Sequence, residues 1–396
     1  MMTTITTNVR ENFYCSQKFW WLSVDLEKLQ SLSCCAATPA KINFDYLKQN
    51  PGELFNSPNL VSERQDMLEN KQVESCSATC WKPEANSLTS RRLMMNSVDR
   101  THVNVNTVPE ILHIILGTDC NMSCVYCCKT YSSSWAKDLA DNGPYSVETA
   151  DDRFNLSSRD RVIMQLSQKD IGNGQFNKVL IDEIEKICQN SNLKEIVITG
   201  GEPFLHLELS NLISRLKNTT VPIKIWSGLG VNSTRFEKEI KKLQKFSNIE
   251  IVISAEATGE LYELLRYGNT WEKFQENVTT LDRLSINHSF YSTVTNLTLF
   301  GIKDFILYAG KKQITYSLCT DPSFLSVNVL DLDSKQYILD IIDTYPEQLQ
   351  KILAKDLSLD ATGTDNHKLK TYLLEFATRR DINLDFLPKT FKKWVL

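Results

Sequence analysis

The chain has 396 residues, a formal net charge of −4 and 42% hydrophobic residues. That length allows one large barrel with an appendage, and the slightly acidic balance argues against the broad basic footprint of an extensive nucleic-acid interface. No apolar run approaches the ~20 residues of a membrane span, and the first residues lack a basic start followed by an apolar core. The expectation is a protein that meets no membrane and works in the reducing cytoplasm.

The first ~105 residues read as irregular and turn-rich, with few long apolar periods. They hold five of the eleven cysteines: Cys15, Cys34, Cys35, Cys76 and Cys80. Disulfides are disfavoured in a reducing compartment, so grouped thiols point to metal or redox chemistry. Four ligands can be drawn from five thiols, which suits a closed iron–sulfur cluster or a structural zinc. A core-poor segment would gain from such a staple. A junction follows around residues 104–109. Residues 1–105 are therefore expected to form a cysteine-rich metal module, ahead of a barrel over 106–330 and a helical segment over 331–396.

From residue 106 onward, apolar runs alternate with amphipathic helices. Candidate strands cover 111–116, 196–199, 223–226, 249–253, 290–294 and 314–318. Short β-branched runs of this kind fit parallel strands covered by helices. Residues 131–173 are long, polar and weakly periodic, as in an insertion or lid after the first of these strands. Three helical stripes follow: Phe176, Leu180, Ile184 and Ile187; Phe236, Ile240, Leu243 and Phe246; and Trp271, Phe274, Val278 and Leu281. Core packing explains all three. Thr234 and Glu237 have capping-box spacing at the start of the second stripe. Beyond Asp333 the pattern suggests two or three helices, with breaks at Tyr345-Pro346 and Asp360 to Gly363. Six strands alternating with helices predict an α/β fold with a parallel sheet, as a partial barrel or a doubly wound sheet.

The strongest chemical signal follows the first of the six strands. Cys120, Cys124 and Cys127 are spaced Cx3Cx2C on one loop. A cuboidal [4Fe-4S] cluster usually has four thiolate ligands, so three leave one iron open to a small molecule. Zinc fits less well, because paired ligands downstream are missing and His206 is alone. Cys128 permits a second register, but with Cys127 as ligand an aromatic residue, Tyr126, precedes the last cysteine and could pack on an adenine ring. The next strand ends in Gly200-Gly201-Glu202-Pro203. The glycines permit close backbone approach to a ligand, and the Glu202 carboxylate can accept from an ammonium group.

On these motifs the chain resembles the radical S-adenosylmethionine (SAM) superfamily, whose signature is CxxxCxxC with an aromatic before the last cysteine. The resemblance implies a partial (β/α)6 TIM-like barrel and a [4Fe-4S] cluster on Cys120, Cys124 and Cys127. That cluster would cleave SAM reductively to a 5'-deoxyadenosyl radical, which abstracts a substrate hydrogen. It gives Gly200, Gly201 and Glu202 the methionine amino group. Ser254 and Glu256 correspond to a ribose-binding Ser-x-Asp-Gly, although Glu256 replaces Asp and Ala257 replaces Gly. Arg266 corresponds to a methionine-carboxylate ligand. Ser227 and Asn296 lie at strand ends where the cofactor would sit. The N-terminal cysteines are similar to SPASM and twitch auxiliary-cluster modules, which usually follow the barrel rather than precede it. The family also implies an electron donor such as flavodoxin or ferredoxin, and many auxiliary-cluster relatives act on a peptide or protein. Two alternatives stand beside this reading: a non-catalytic cysteine-rich metal scaffold, and a radical enzyme of nucleoside or tRNA-base metabolism.

Overall fold

The computed structural model describes residues 12–87, 89–96, 104–149, 152–155, 178–216, 220–357, 363–389 and 391–392. Its strands are β1 (Trp21–Asp25), β2 (Gln30–Leu32), β3 (Ala40–Lys41), β4 (Ile111–Ile115), β5 (Glu195–Thr199), β6 (Ile223–Ser227), β7 (Ile249–Ser254), β8 (Asn287–Val294) and β9 (Ile314–Leu318). They form one sheet in the order β3-β2-β1-β4-β5-β6-β7-β8-β9. From β4 to β9 every pairing is parallel and between consecutive strands. Right-handed crossovers in an order that never reverses put all the helices on one face of the sheet. A doubly wound sheet would need a switch point where the order reverses. The architecture is therefore the α/β, partial (β/α)6 barrel type.

Burial along the strands shows the same two faces. On β4, Leu112 and Ile114 have no exposed surface, whereas Ile111, His113 and Ile115 are half-buried. The first set joins a single core with Leu180, Ile184, Phe236, Ile240, Phe274 and Leu281 of the covering helices. The second set faces the barrel lumen. This alternation has the period of two that a pleated strand imposes.

The described helices agree with the sequence stripes, with three differences. Phe176 lies outside the described residues, as do Asp360 to Thr362 and much of the expected insertion. Residues 133–142 of that insertion form a helix. The helix over 233–243 is capped by Asn232, whose side chain accepts from the Thr234 and Arg235 amides, and not by a Thr234–Glu237 box. Asn is at least as good an N-cap as Thr, and it starts the helix before Thr234 is reached.

The N-terminal segment departs most from expectation. It contains three strands and the helices 44–49, 58–68, 82–85 and 91–96. β1 pairs in parallel with β4 over its whole length and antiparallel with β2. The main sheet thus continues into residues 21–41. In sequence β1 is a five-residue run with only Leu22 and Val24 on its apolar face and with Ser23 and Asp25 on the other, too short to stand out from the segment around it. Ser23 is buried, with its hydroxyl 3.0 Å from His113 Nδ1 and accepting from Trp21 Nε1 at 2.7 Å. Polar partners in the neighbouring strand replace hydrophobicity there.

Candidate active site

The Cys120–Cys128 loop leaves the C-terminal end of β4, the end at which parallel barrels carry their reactive groups. Side chains hold its backbone at several points. Ser133 and Ser134 hydroxyls donate to the Cys120 carbonyl at 3.1 and 2.7 Å. Trp135 Nε1 donates to the Cys124 carbonyl at 2.9 Å, and Ser132 Oγ to that of Met122 at 2.7 Å. Asn121 Nδ2 reaches the carbonyls of Gly230 (2.6 Å) and Gly268 (3.1 Å). Tyr372, on the C-terminal helix 363–379, donates to the Val125 carbonyl at 2.5 Å. Glu27, between β1 and β2, accepts from the Thr118 amide at 2.7 Å. Five separate parts of the chain therefore hold the loop in one conformation, as a precise ligand set requires.

Two glycines let other backbones close on this loop. A Cβ on Gly201 would lie 2.4 Å from the Asp119 carbonyl oxygen. Here Gly201 N donates to the Gly117 carbonyl and Glu202 N to that of Asp119, both at 2.8 Å. A Cβ on Gly268 would lie 2.1 Å from the Asn121 oxygen, and its φ is +103°. Close approach is what these glycines provide, but at Gly201 the approaching group is the cysteine loop itself.

The three thiols fit soft-metal ligation. Cys124 is buried, while Cys120 and Cys127 are half-buried. Burial raises the Cys120 thiol to about 12, with Cys124 beside it adding to the effect. Burial raises Cys124 to about 11, and Arg266 partly offsets this. Cys127 is also raised, by burial and then by Cys124, Cys128 and Cys120. Without a metal these groups stay protonated; a bound cation would deprotonate them. Among the described residues, no three His, Cys, Asp or Glu side chains already stand in metal-binding geometry.

The residues expected around SAM fall into two sets. One set is committed to the protein. Glu202 has no exposed surface; it accepts from Ser227 Oγ (2.6 Å) and from the amides of Gly228 (3.0 Å), Phe204 (3.3 Å) and Gly230 (3.4 Å). Burial raises its carboxyl, and those hydrogen bonds oppose the shift. Arg266 Nη2 and Nε donate to Glu256 at 2.7 and 3.1 Å, and Tyr126 OH donates to Glu256 at 2.9 Å. This buried triad lies against Cys124. Glu256 is fully enclosed there, and the Tyr126 hydroxyl is directed at it. Asn296 is also enclosed, with Nδ2 on the Phe324 carbonyl at 2.8 Å and Oδ1 without a partner. The other set is open. The hydroxyl of Ser254, half-buried at the end of β7, has no protein partner among the described residues, and neither Gly200 nor Gly201 is fully enclosed.

The N-terminal thiols lie elsewhere. Cys15, Cys76 and Cys80 are buried in a small separate core with Met67, Val73 and Trp81. Cys76 lies beside Cys80, and Cys34 beside Cys35, so that each thiol perturbs the ionisation of its neighbour. Cys34 is buried and also donates to Gln17 at 3.3 Å, whereas Cys35 is exposed. Lys18, fully buried, donates to Glu63 (2.5 Å), Ser33 (2.7 Å) and Ser75 (2.9 Å), and its charge acts on Cys76 and Cys34. The lysine therefore stands among the thiols, where a cation favours thiolate.

Ser132 to Trp135, Asn121, Tyr372 and Gly268 support the loop but carry no sequence signal that reveals it. Asn121 lies within the cysteine motif, Ser132 to Trp135 begin four residues after Cys128, and Gly268 lies two after Arg266, whereas Tyr372 is remote from every motif.

The family model described as Radical SAM superfamily matches residues 114–306. No curated protein matches the chain. Among solved structures, native anSMEcpe with bound AdoMet is 15% identical, with a TM-score of 0.36, and the match covers 67% of this chain and 66% of that one. SuiB of Streptococcus suis bound to its precursor peptide SuiA is 13% identical, with a TM-score of 0.36, over 72% of this chain and 54% of that one. SuiB of Streptococcus suis alone is 13% identical, with a TM-score of 0.36, over 89% of this chain and 72% of that one. The chain thus spans about two thirds of anSMEcpe and about half of peptide-bound SuiB.

Proposed function

Residues 114–306 carry a domain of the radical SAM superfamily, and from that premise we propose that the chain is a radical SAM enzyme whose cluster ligands are Cys120, Cys124 and Cys127. The observation that carries this reading is the cysteine loop at the C-terminal end of β4, clasped by the Gly201–Glu202 turn after β5 and held by side-chain hydrogen bonds to its Cys120, Met122, Cys124 and Val125 carbonyls. When bound, a [4Fe-4S] cluster with one open iron supplies the electron that cleaves SAM to methionine and a 5'-deoxyadenosyl radical. The chain's own residues orient and shelter that chemistry. Ser254 offers a free hydroxyl at the end of β7, on the same end of the sheet as the Gly200–Gly201 turn that follows β5. Glu202 sets the 227–230 turn, and it reaches an ammonium group by releasing one of its two longest hydrogen bonds, from Phe204 or Gly230. The Tyr126–Glu256–Arg266 triad fixes the loop from below and acts as a positioning group.

The N-terminal thiols support a second metal centre on Cys15, Cys76 and Cys80 with Cys34 or Cys35, of the SPASM or twitch kind. The buried Lys18 offsets part of the charge of such a thiolate set. A peptide or protein is the substrate class we favour, with flavodoxin or ferredoxin as the class of electron donor. Among the described residues no helix is long and apolar enough to cross a membrane.

The test is anaerobic reconstitution with iron and sulfide, followed by iron counting and a dithionite-driven assay for 5'-deoxyadenosine. Ala at Cys120, Cys124 or Cys127 should abolish the product, and Cys128→Ala should retain it. Product loss in Cys128→Ala with retention in Cys127→Ala would move the register by one. No product from the wild-type protein with a full cluster would overturn the reading.

A further inference from the structure

The lumen face of the sheet has a composition that the cluster and SAM do not explain. Trp226 of β6 and Tyr291 of β8 are half-buried on this face, with ring centroids 4.8 Å apart at 57°. They flank β7, where Val252 is the register partner of Trp226 and Ser254 that of Tyr291. Thr293 follows Tyr291 on the same face and pairs with Ser317 of β9. Trp226, Tyr291, Thr293 and Ser317 are half-buried, and none of their side-chain polar atoms has a protein hydrogen-bond partner among the described residues. An indole N–H and three hydroxyls therefore line one side of the lumen with their bonding capacity unused. Partly buried polar groups in that condition are usually satisfied by a ligand or by water.

The charged and ionisable groups on this face are already engaged within the protein. Lys224 meets Glu195 at 2.9 Å, and Glu250 accepts from Ser289 at 2.5 Å. His113 has both ring nitrogens engaged, by Ser23 at 3.0 Å and Thr199 at 2.8 Å. The rim charges Arg266 and Glu256 are bound to each other. The described lumen thus offers no free cation to neutralise a phosphate or carboxylate, and burying such a group unpaired is strongly disfavoured. A nucleotide would bring that charge; an internal peptide residue would not. A peptide also brings carbonyl oxygens, the acceptors that an indole N–H and hydroxyl groups require.

We propose that the lumen wall formed by Trp226, Tyr291, Thr293 and Ser317 binds an uncharged, ring-bearing side chain of a peptide substrate and sets specificity for the residue presented to the radical. This rests on the radical SAM reading above. Trp226 and Tyr291 supply the aromatic contact surface, in the offset or tilted geometry that ring pairs prefer. Thr293 and Ser317 hold the adjoining backbone.

Calorimetry on the anaerobically reconstituted protein with SAM tests it, with three probes: N-acetyl-tyrosinamide, N-acetyl-glutamate amide and adenosine 5'-monophosphate. The tyrosine amide should bind at least tenfold more tightly than the other two. Trp226→Ala and Tyr291→Ala should each weaken it about tenfold, whereas Trp226→Phe and Tyr291→Phe, which keep a ring and guard against misfolding, should stay within about threefold of wild type; tenfold corresponds to about 1.4 kcal/mol. Equal or tighter binding of the acidic amide or the nucleotide overturns the proposal, as does unchanged affinity in Trp226→Ala. Wild-type 5'-deoxyadenosine formation is measured separately. Its absence would defeat the radical SAM reading, while the binding comparison would still decide the lumen's preference.

Discussion

Removing the guanidinium of Arg266 leaves the Glu256 carboxylate buried without its cation. Glu256 is 0% exposed and Arg266 4%, so water screens this pair little, and the contacts at 2.7 and 3.1 Å engage both carboxylate oxygens. Breaking a buried pair by deleting one partner costs about 3–5 kcal/mol, because the other charge stays uncompensated. At roughly 2.1 cal/mol/K of unfolding entropy per residue over a chain of this length, that loss lowers Tm by about 4–6 °C. Arg266→Leu is therefore expected to melt that much earlier by circular dichroism. It should also take up less iron, since the Val125 amide of the cysteine loop donates to the Leu265 carbonyl next to Arg266. The double variant Glu256→Leu/Arg266→Leu removes both charges and leaves only the Tyr126 hydroxyl unpartnered, for about 1–3 kcal/mol. It should be more stable than Arg266→Leu alone. The reasoning fails if Arg266→Leu melts within about 1 °C of wild type, or if the double variant falls as far as the single one.

Gly268→Ala forces a Cβ to 2.1 Å from the Asn121 oxygen, whereas the same change at Gly310, also at positive φ, meets open space; iron content after reconstitution should fall in the first variant and be kept in the second. Burial pushes His113 down to about 4, against about 6.5 in an unfolded chain. The native state binds fewer protons there, so this stabilisation is complete above about pH 6.5 and is lost as pH falls towards 4, amounting to at most about 3 kcal/mol. Urea midpoints between pH 6.5 and 4 should fall less steeply in His113→Gln than in wild type; an unchanged slope would assign the acid sensitivity to other groups. A triple variant lacking Cys120, Cys124 and Cys127 should retain about four irons if the N-terminal thiols hold a [4Fe-4S] cluster, or about one zinc if the site is structural. A folded triple variant holding neither metal would remove the second centre.

Local features were readable in the chain itself. β4 to β9 appear where β-branched runs stand, because a strand covered by helices on one face needs apolar residues at every second position. Cx3Cx2C and the Gly200–Glu202 turn stand out in the chain because the residues of each are close in sequence, so spacing alone places each set on a single loop. β1 could not be read this way. Its Asp25 is satisfied locally, by the amides of Glu27 and Lys28, but Ser23 faces His113 ninety positions away, and only the folded sheet brings the two together. The roles of Glu202, Glu256 and Arg266 were decided by the same kind of long-range pairing. As sequence they are three polar residues at strand and helix ends, equally suited to a ligand. In the fold, Glu202 meets Ser227 across 25 positions and Glu256 meets Tyr126 across 130. Charge burial requires a partner to be near in space, and nearness in space between distant residues is what the tertiary structure alone determines.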